Sequence, residues 1–403
     1  MRNTKHKLFY DKSLKRLHDA CNICGVVRNH FIALCMRYYR RYGKSLSYSK
    51  MSAHLTKLKK LEKYQHWNIP YSWSLQNVLK RLSQSFREMK TLGRGHPQFK
   101  SCKKHKGMTF RGEQVKLEYL LPKQKNERKH PTYRIRLNGC WYRFALHRAI
   151  EGKILEVQVT RDALGDVYIT LTEACKEVKP EPKTGQAEGF DMGIKDFLTG
   201  SDGHRYTSPM FYEQNADKLA QAQKVHSRKV KGSNNRERER KNVARIHKKT
   251  ENQRTDHHWK LAIDLCRKFD ILFFEDLNLQ GMKALWGKQI SDLAFGEFML
   301  KLKHQSKKRL KTLHKIGRWT PTTKCCSVCD HKNENLTLAN REWTCQKCNT
   351  HLDRDQNAAM NILKEGVASF GLGVVRPIVL LRKIVGYSVE STSQILKSTN
   401  AFA

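Results

Sequence analysis

The sequence predicts a multidomain α+β protein in which a helical segment, an antiparallel β region and an α/β region follow one another along the chain. Three observations support this fold class. Apolar residues repeat with a helical period before residue 100, with a period of two between about 105 and 173, and in short continuous runs after 186. The chain of 403 residues is also longer than one typical domain.

The chain is strongly basic. It contains 78 Lys and Arg residues against 37 Asp and Glu residues, which gives a formal net charge of +41. This charge is incompatible with an ordinary enzyme that binds a small neutral metabolite, and it suits a protein that wraps a long polyanion. Hydrophobic residues make up 39% of the chain, which is enough for folded cores.

No segment of the sequence predicts export or membrane insertion. No apolar run reaches the roughly 18 residues of a membrane span, and the first residues lack the hydrophobic stretch of a secretory signal. We therefore expect a cytoplasmic protein. In a reducing compartment, the twelve cysteines are better explained as metal ligands and buried thiols than as disulfides.

Residues 13–100 are predicted to be helical. Gly93 to Pro97 should end the last helix, because glycine and proline interrupt helical geometry. The helical period is clearest on one face of the preceding segment, which carries Leu75, Val78, Leu79, Leu82, Phe86 and Met89.

The next region is predicted to be an antiparallel barrel. Two strand-like segments flank Asn138-Gly139, a dipeptide typical of a type I′ hairpin turn. A second pair, Ile154 to Thr160 and Val167 to Thr172, flanks Gly165. Alternating strands with such turns favour a barrel over a helical fold. The stretch from Pro180 to Gln186 is typical of a linker.

The α/β region is predicted from two buried strands and two basic segments. One strand starts at Gly189, and the other is the apolar run from Phe269 to Phe274. Residues 224–260 contain thirteen Lys and Arg against four acids, and we expect a long helical hairpin there. Residues 301–318 contain eight Lys and Arg and no acid, and we expect a second basic helical segment.

Two Cys-x-x-Cys pairs, separated by fifteen residues, predict a zinc site. Each pair bends two thiolates toward one point, and four soft ligands in a tetrahedron are what zinc prefers. Four protein ligands close the site, so it is structural rather than catalytic. The ligands are Cys326, Cys329, Cys345 and Cys348, and the neighbouring Cys325 could compete as a ligand or simply pack. Cys21 and Cys24, with Cys35 nearby, are instead expected to be buried thiols of a helix.

Three acids in this basic chain are candidates for a catalytic metal site. Asp191 lies at the start of an apolar strand, Glu275 ends another, and Asp355 lies where a helix begins. A buried carboxylate without a partner is costly, and a divalent ion would remove that cost. Three such carboxylates are what a phosphodiesterase site with two magnesium or manganese ions needs.

The pattern leaves alternatives for two of these acids. Asp276 competes with Glu275, and either could pair with a basic helix. Asp353 competes with Asp355, and either could be the helix N-cap.

The order of five motifs resembles the TnpB family, which are transposon-encoded, RNA-guided DNA endonucleases related to type V CRISPR effectors. The resemblance is specific over 185–365 and looser before it, through Gly25-Val-Val-Arg-Asn and Gly95-His-Pro-Gln-Phe-Lys. The five motifs are Gly189-Phe-Asp-Met-Gly, Asn252-Gln-Arg-Thr-Asp-His-His-Trp-Lys, Phe274-Glu-Asp-Leu-Asn-Leu, Thr323-Lys-Cys-Cys-Ser-Val-Cys-Asp and Arg354-Asp-Gln-Asn-Ala-Ala-Met-Asn-Ile.

The resemblance implies an RNase H-like RuvC nuclease domain with a zinc-knuckle insertion, and a wedge β-barrel interrupted by a helical recognition lobe. The expected domains are a wedge barrel (1–12 and 105–180), a recognition lobe (13–104), a nuclease domain (181–319 and 351–372), a zinc-binding target-nucleic-acid module (320–350) and an unassigned tail (373–403). The family also implies a guide RNA derived from the transposon end, a target DNA beside a short flanking motif, and a prokaryotic protein that is nucleoid-associated when on DNA.

The resemblance also implies which residues of this chain correspond to the family's site residues, because each lies within a matching motif. Asp191 and Asp355 match the family's first and last catalytic aspartates, and Glu275 matches its glutamate. Magnesium or manganese is expected there, and zinc at the four cysteines. The family usually has glycine after the second cysteine of the first knuckle, where this chain has Asp330. A turn residue with positive φ tolerates Asp less well than Gly.

Two other functions compete with RNA-guided cleavage. A DNA strand-transfer transposase would use the same three acids without RNA. A zinc-containing repressor would bind nucleic acid without catalysis, and metal-dependent cleavage would exclude it.

Overall fold

The computed structural model describes residues 1–121, 130–174, 181–337 and 339–370. The chain divides into two units, Met1–Glu177 and Val178–Ala403. The tail from 373 that the sequence left unassigned lies outside the described residues, and so does Pro180 of the expected linker.

Among residues 1–121 and 130–174, the first unit has three helices and seven strands. In chain order they are β1 (Arg2–Lys7), α1 (Leu14–Tyr42), α2 (Tyr48–Leu58), α3 (Ser72–Thr91), β2 (Gly107–Arg111), β3 (Lys116–Tyr119), β4 (Thr132–Leu137), β5 (Cys140–Ala145), β6 (Ile154–Arg161) and β7 (Val167–Glu173). Short 3₁₀ turns cover Glu62–Asn68, Cys102–Lys104 and Gly112–Gln114.

The strands of this unit form two antiparallel sheets. One has the order β1-β7-β6-β2 and the other β3-β4-β5. Both predicted hairpins are confirmed, because β4 pairs with β5 and β6 with β7. Asn138 and Gly139 have φ of 47° and 77°, as a type I′ turn requires. A bridge between Leu8 and Phe144 connects the sheets, while closure into a barrel stays a prediction.

The helical segment ends near the predicted position, since α3 stops at Thr91 before Gly93. Helix α1 buries its cysteine side chains, and Cys21, Cys24 and Cys35 are at most 7% exposed. Burial raises the pKa of the Cys21 thiol to about 11, which keeps it protonated. These thiols are core residues, as the sequence predicted.

The two loosely matching motifs of this unit contact each other. Arg28 donates a hydrogen bond to the Gln98 carbonyl at 2.9 Å, and the Asn29 amide donates to the Lys100 carbonyl at 2.6 Å. Gly25 lies against the backbone of Cys102, where an added Cβ would approach the Cys102 Cα to 2.9 Å. The motifs therefore fix the segment after α3 on the side of α1.

The second unit is α/β. Its strands are β8 (Ala187–Asp191), β9 (Leu198–Gly200), β10 (Arg205–Tyr206), β11 (Ile271–Glu275), β12 (Thr312–Ile316), β13 (Glu342–Thr344) and β14 (His351–Asp353). Its helices are α4 (Phe211–Gln214), α5 (Ala216–Ser227), α6 (Asn234–Lys268), α7 (Leu279–Leu285), α8 (Gly287–Leu293), α9 (Phe295–Arg309) and α10 (Arg354–Ser369).

A five-stranded sheet of order β10-β9-β8-β11-β12 forms the centre of this unit. Strands β8, β11 and β12 are parallel, β9 pairs antiparallel with β8, and β10 pairs antiparallel with β9. The two sheet faces bury different helices. The side chains that pack on the α6 and α9 face include Phe190, Phe274, Leu261, Leu265 and Phe298. Those on the α10 face are Ala187, Phe273, Ile316, Ile362 and Leu363.

The predicted basic hairpin is confirmed as α5 and α6, which pack against each other. The second prediction is wrong beyond Arg309. Leu310 has a φ of 56° and ends α9, and Thr312–Ile316 continue as the edge strand β12. The β-branched Thr312 and Ile316 suit a strand, and pairing with β11 overrides the basic residues of this segment. No helix in the described ranges combines the length and apolarity needed to cross a membrane.

Helix α10 crosses β8 at a glycine. A Cβ added to Gly189 would lie 2.5 Å from the Ala359 carbonyl oxygen and 2.6 Å from the Leu363 nitrogen. Both atoms belong to the backbone of α10, so a side chain at this position would push the helix away from the sheet. The glycine thus sets the depth at which α10 packs.

We expect Gly189→Ala to destabilise this unit by about 1–3 kcal/mol, because overpacking forces the backbone to shift. Denaturant unfolding should show a lower midpoint. Gly287→Ala is the matched control, since an added Cβ there meets nothing within 4 Å. Equal midpoints for the two variants would contradict the close approach.

Candidate active site and zinc site

Asp191 and Glu275 lie at the same edge of the central sheet. In the parallel register, Phe274 pairs with Phe190, so each acid follows one residue later on adjacent strands. Side chains alternate along a strand, which puts Asp191 on the face of Gly189 and Glu275 on the face of Phe273. Helix α10 covers that face, and both acids therefore project toward its side of the sheet.

The structure brings the three predicted acids into one electrostatic group, which we call the acid cluster (Asp191, Glu275 and Asp355). Desolvation raises the pKa of Asp191 to about 7, and the negative charges of Asp355 and Glu275 add to the rise. Arg354 and the Met192 N–H oppose it. An acid with this pKa is only partly ionised at neutral pH, and a nearby cation would favour its charged form.

The structure separates Glu275 from its competitor Asp276. Burial raises the pKa of Glu275, the charge of Asp276 adds to the rise, and a hydrogen bond with Thr322 opposes it. Asp276 faces solvent and pairs with Lys315 and Arg318, each at 2.8 Å. Asp276 therefore has the structural ion-pair role, and Glu275 remains at the sheet edge.

A similar division holds between Asp353 and Asp355. Asp353 is the N-cap of α10, because its carboxylate accepts from the Gln356 N–H at 2.8 Å. It also pairs with Arg205 at 2.7 Å. Asp355 lies in the first turn, where it contacts Arg354 at 2.9 Å and Arg341 at 3.3 Å.

A further buried acid of this unit, Glu188, was not singled out from the sequence. It lies on β8 but on the opposite face from Asp191, since the two are three residues apart. Its carboxylate accepts from the Ser201 N–H at 2.6 Å and from the Ser201 hydroxyl. Burial raises its pKa to about 7. The bond to Ser201 ties β8 to the turn after β9.

The four predicted cysteines form a compact group of thiols. Within 1–121, 130–174, 181–337 and 339–370 they are the one group of three or more Cys, His, Asp or Glu residues whose ligand atoms all lie within 4.8 Å of one another. The sulfurs of Cys326 and Cys348 are 3.7 Å apart, and those of Cys329 and Cys345 are 3.5 Å apart. Tetrahedral zinc with Zn–S bonds of about 2.3 Å needs sulfurs about 3.8 Å apart, so the thiols fit zinc.

Both knuckles turn through a residue with positive φ. Asp330 follows the first knuckle with a φ of 59°, and Asn349 follows the second with 52°. The sequence predicted a strained Asp330, and the structure shows what compensates: both carboxylate oxygens accept from Lys364 of α10, at 2.6 and 2.7 Å. Cys325 is not part of the thiol group.

Two asparagines of α10 bind the first knuckle, and sequence reasoning missed their role. The Asn357 carbonyl accepts from the Ser327 N–H at 2.8 Å, and its amide donates to the Cys325 carbonyl at 2.7 Å. The Asn361 amide donates to the carbonyls of Cys325 and Thr322, both at 2.7 Å. Their spacing of four residues puts both amides on one face of the helix, a signal that was visible in the sequence.

These bonds also connect the zinc module to the acid cluster. Thr322 bonds to Glu275 through its side chain and to Asn361 through its carbonyl. Arg341, between the two knuckles, contacts Asp355. The zinc module therefore reaches two of the three acids, Glu275 through Thr322 and Asp355 through Arg341. We refer to this set of contacts by Thr322, Asn357 and Asn361 as the asparagine lock.

Two protein-family models match the chain. The OrfB_IS605 family, described as "Probable transposase", matches residues 156–285, and the family described as "Cas12f1-like, TNB domain" matches residues 295–362. The first range contains Asp191 and Glu275, and the second contains the four cysteines and Asp355.

Relatives of similar length match most of the chain. A Streptomyces pristinaespiralis protein with the provisional name RNA-guided DNA endonuclease is 32% identical over 345 residues, which is 82% of this chain and 81% of that protein. The Escherichia coli K12 protein InsQ, with the same provisional name, is 26% identical and covers 87% and 88%. The solved Cas12f1–sgRNA–target DNA complex has a TM-score of 0.54 at 14% identity, covering 88% of this chain and 83% of that one. At that identity the likeness concerns the fold.

We expect Cys345→Ser to abolish zinc binding, because it removes one of four thiolates from a closed site. The zinc module should lose its fold, since the metal supplies folding free energy there. Elemental analysis of the purified chain should give one zinc for the wild type and less for the variant. Cys325→Ser is the matched control and should keep its zinc. Unchanged zinc content in Cys345→Ser would contradict this ligand set.

Proposed function

This chain belongs to the TnpB family of transposon-associated, RNA-guided DNA endonucleases, and we propose that Asp191, Glu275 and Asp355 are the residues that hold its catalytic divalent metal ions. The observation that carries this proposal is the convergence of three carboxylates around the buried end of β8. In a chain of net charge +41, such convergence has no evident structural use.

The donor chemistry of the acid cluster fits magnesium or manganese. Carboxylate oxygens are hard ligands, and these ions prefer them to nitrogen or sulfur. The pKa of Asp191 is raised first by burial and then by the charges of Asp355 and Glu275, and a bound divalent ion would oppose this rise.

In this proposal, the chain's own residues orient the reacting groups. Asp191 and Glu275 are held by the parallel strands, and Asp355 by the first turn of α10. When bound, the ions supply a lowered pKa for the attacking water and stabilise the leaving oxygen. Glu275 is kept at the sheet edge by Thr322, and Arg341 with Arg354 orients the Asp355 carboxylate. Cleavage would leave 5′-phosphate and 3′-hydroxyl ends.

The basic helices of the second unit are proposed to bind the nucleic-acid backbone. The helical hairpin of α5 and α6 contains most of the thirteen cations counted in 224–260, and α9 packs against α6 with three cations in its last turn. Phosphate contacts of this kind fix register and orientation without reading sequence. The sequence of the target would be read by guide pairing, and the protein would read a short flanking motif.

The finer domain assignments belong to the same proposal. The helices α1 to α3 would be the recognition lobe, the two antiparallel sheets the wedge, and the central sheet with α10 the RuvC-like nuclease. The zinc module between β12 and α10 would contact the target nucleic acid. The guide RNA would derive from the transposon end.

We expect Asp191→Asn, Glu275→Gln and Asp355→Asn each to lower cleavage by more than about 100-fold, since loss of even an outer partner of a metal ligand costs about 10–100-fold. Binding of RNA and DNA should change little, because each variant removes a metal ligand and no cation. Gel-based cleavage and binding assays measure the two effects separately.

Asp353→Asn is the matched control for these variants. Asparagine is as good an N-cap as aspartate, so α10 should keep its start. This variant should cut at nearly the wild-type rate. If Asp353→Asn is inactive and Asp355→Asn is active, the third ligand is Asp353. If all three acid variants cut DNA, the acid cluster is not the nuclease site.

Exchanging only the guide segment of the co-purified RNA should move the cut to the newly matched DNA. The reason is that no element in the described part of the chain resembles a sequence-reading helix-turn-helix or finger array. Mapping of cut ends in the presence of magnesium checks this. Cutting at the old position, or after RNase treatment, would favour direct reading by the protein and the strand-transfer function.

A further inference from the structure

The loop between β12 and the zinc module has a tryptophan at its tip. We propose that Trp319 is a binding site for an unpaired base of the DNA strand that enters the acid cluster, where it stacks on the base and orients the strand. This inference rests on the proposed nuclease function. It adds a substrate-binding residue that lies outside the acid cluster and outside the basic helices.

The exposure of Trp319 is unusual for its residue type. Its relative exposure is 91%, the highest of the seven tryptophans in the chain. The next most exposed is Trp286 at 37%, and Trp67 and Trp343 are buried. The exposed indole presents a large flat aromatic face on which a planar partner can stack.

The loop around Trp319 is fixed at both ends. Before it, Arg318 donates from Nε to the Asp276 carbonyl at 3.0 Å and from its terminal nitrogen to the Asp276 carboxylate at 2.8 Å. After it, Thr322 is 3% exposed and bonds to Glu275 and Asn361. A further bond from the Thr320 N–H to the Gly317 carbonyl, 3.3 Å long, closes a turn.

These anchors place the indole beside the acid cluster. Trp319 is one residue from Arg318, whose partner Asp276 adjoins Glu275, and three residues from Thr322, whose side chain opposes the burial-driven rise in the pKa of Glu275. Three residues of chain span at most about 11 Å. A base stacked on Trp319 would therefore belong to a nucleotide close to the phosphate at Glu275.

The charges around the loop favour a polyanion. Lys315 and Arg318 flank the single acid Asp276, so the group keeps one excess positive charge next to the exposed ring. An aromatic face beside cations is the combination that binds single-stranded nucleic acid, because the base stacks while the phosphate meets the charge.

Unpaired DNA is the occupant that fits this position. Guide pairing displaces one DNA strand, which then has bases free to stack. The guide RNA is the competing occupant, but Trp319 adjoins the acids that would cut DNA. The chemistry of stacking accepts any base, so no sequence preference is expected from this residue.

The test uses a set of guide-matched DNAs, each of which has a single abasic site at a different position in the cut region. The enzyme is the RNA-loaded full chain. For the wild type, an abasic site at one or two positions next to the cut should slow cleavage about tenfold, the effect of losing one stacked base. Trp319→Ala should slow cleavage of intact DNA by a similar factor. It should also remove the penalty of the abasic site, because no stacking is left to lose.

Two variants serve as controls. Trp319→Phe keeps an aromatic face and should keep the abasic penalty. Leu285→Ala removes a 73% exposed apolar side chain from α7 in the same unit and should behave like the wild type. An unchanged rate for Trp319→Ala on intact DNA, or an abasic penalty that survives in it, overturns the proposal. Less RNA co-purifying with Trp319→Ala would assign the site to the guide instead, and also overturns it.

A second measurement separates this proposal from the nuclease function. The dissociation constant of a dT oligonucleotide is measured by fluorescence anisotropy with the RNA-loaded Asp191→Asn protein. Adding Trp319→Ala should weaken binding about tenfold. If the wild type cuts nothing but this weakening is observed, the nuclease function fails and the base-binding site stands. Equal dissociation constants overturn the site whatever the cleavage assay shows.

Discussion

The desolvation of Asp191 beside two other carboxylates, at the end of β8, is the constraint on which the second unit depends. Asp191 is desolvated beside Glu275 and Asp355, and its raised pKa measures the cost. The chain meets this cost with rigid supports: two parallel strands, a capped helix and a glycine at the crossing of helix and sheet. Without such supports, the three carboxylates would move apart into water.

The asparagine lock makes the zinc module part of the acid cluster's support. Asn357 and Asn361 saturate backbone groups of the first knuckle that would otherwise be buried without partners. Thr322 transmits that position to Glu275, and Lys364 compensates the strained turn at Asp330. In the proposed function, a zinc ion at the four cysteines would take no part in the chemistry but would help to fix the carboxylates of the acid cluster.

Local patterns predicted much of this structure because short-range rules determine them. The turn at Asn138, the buried run before Glu275 and the spacing of Cys326 and Cys329 each encode their geometry in a few residues. The end of α9 shows where local patterns fail to predict structure. Thr312–Ile316 form a strand because they pair with β11, which is distant in sequence. The separate roles of Asp353 and Asp355 depended on Arg205 and Arg341, which no local rule connects to them.

The distribution of the acid cluster along the chain determines when the site forms during synthesis. Asp191 and Asp355 are separated by 164 residues, so every native contact between them is long-range. At about 5–20 residues per second, a ribosome needs roughly 8–33 seconds to reach Asp355 after it has added Asp191. Until α10 leaves the ribosome, β8 and β11 lack the cover of one sheet face. The nascent chain therefore carries an exposed apolar surface and an incomplete site, and any chain truncated before α10 stays in that state.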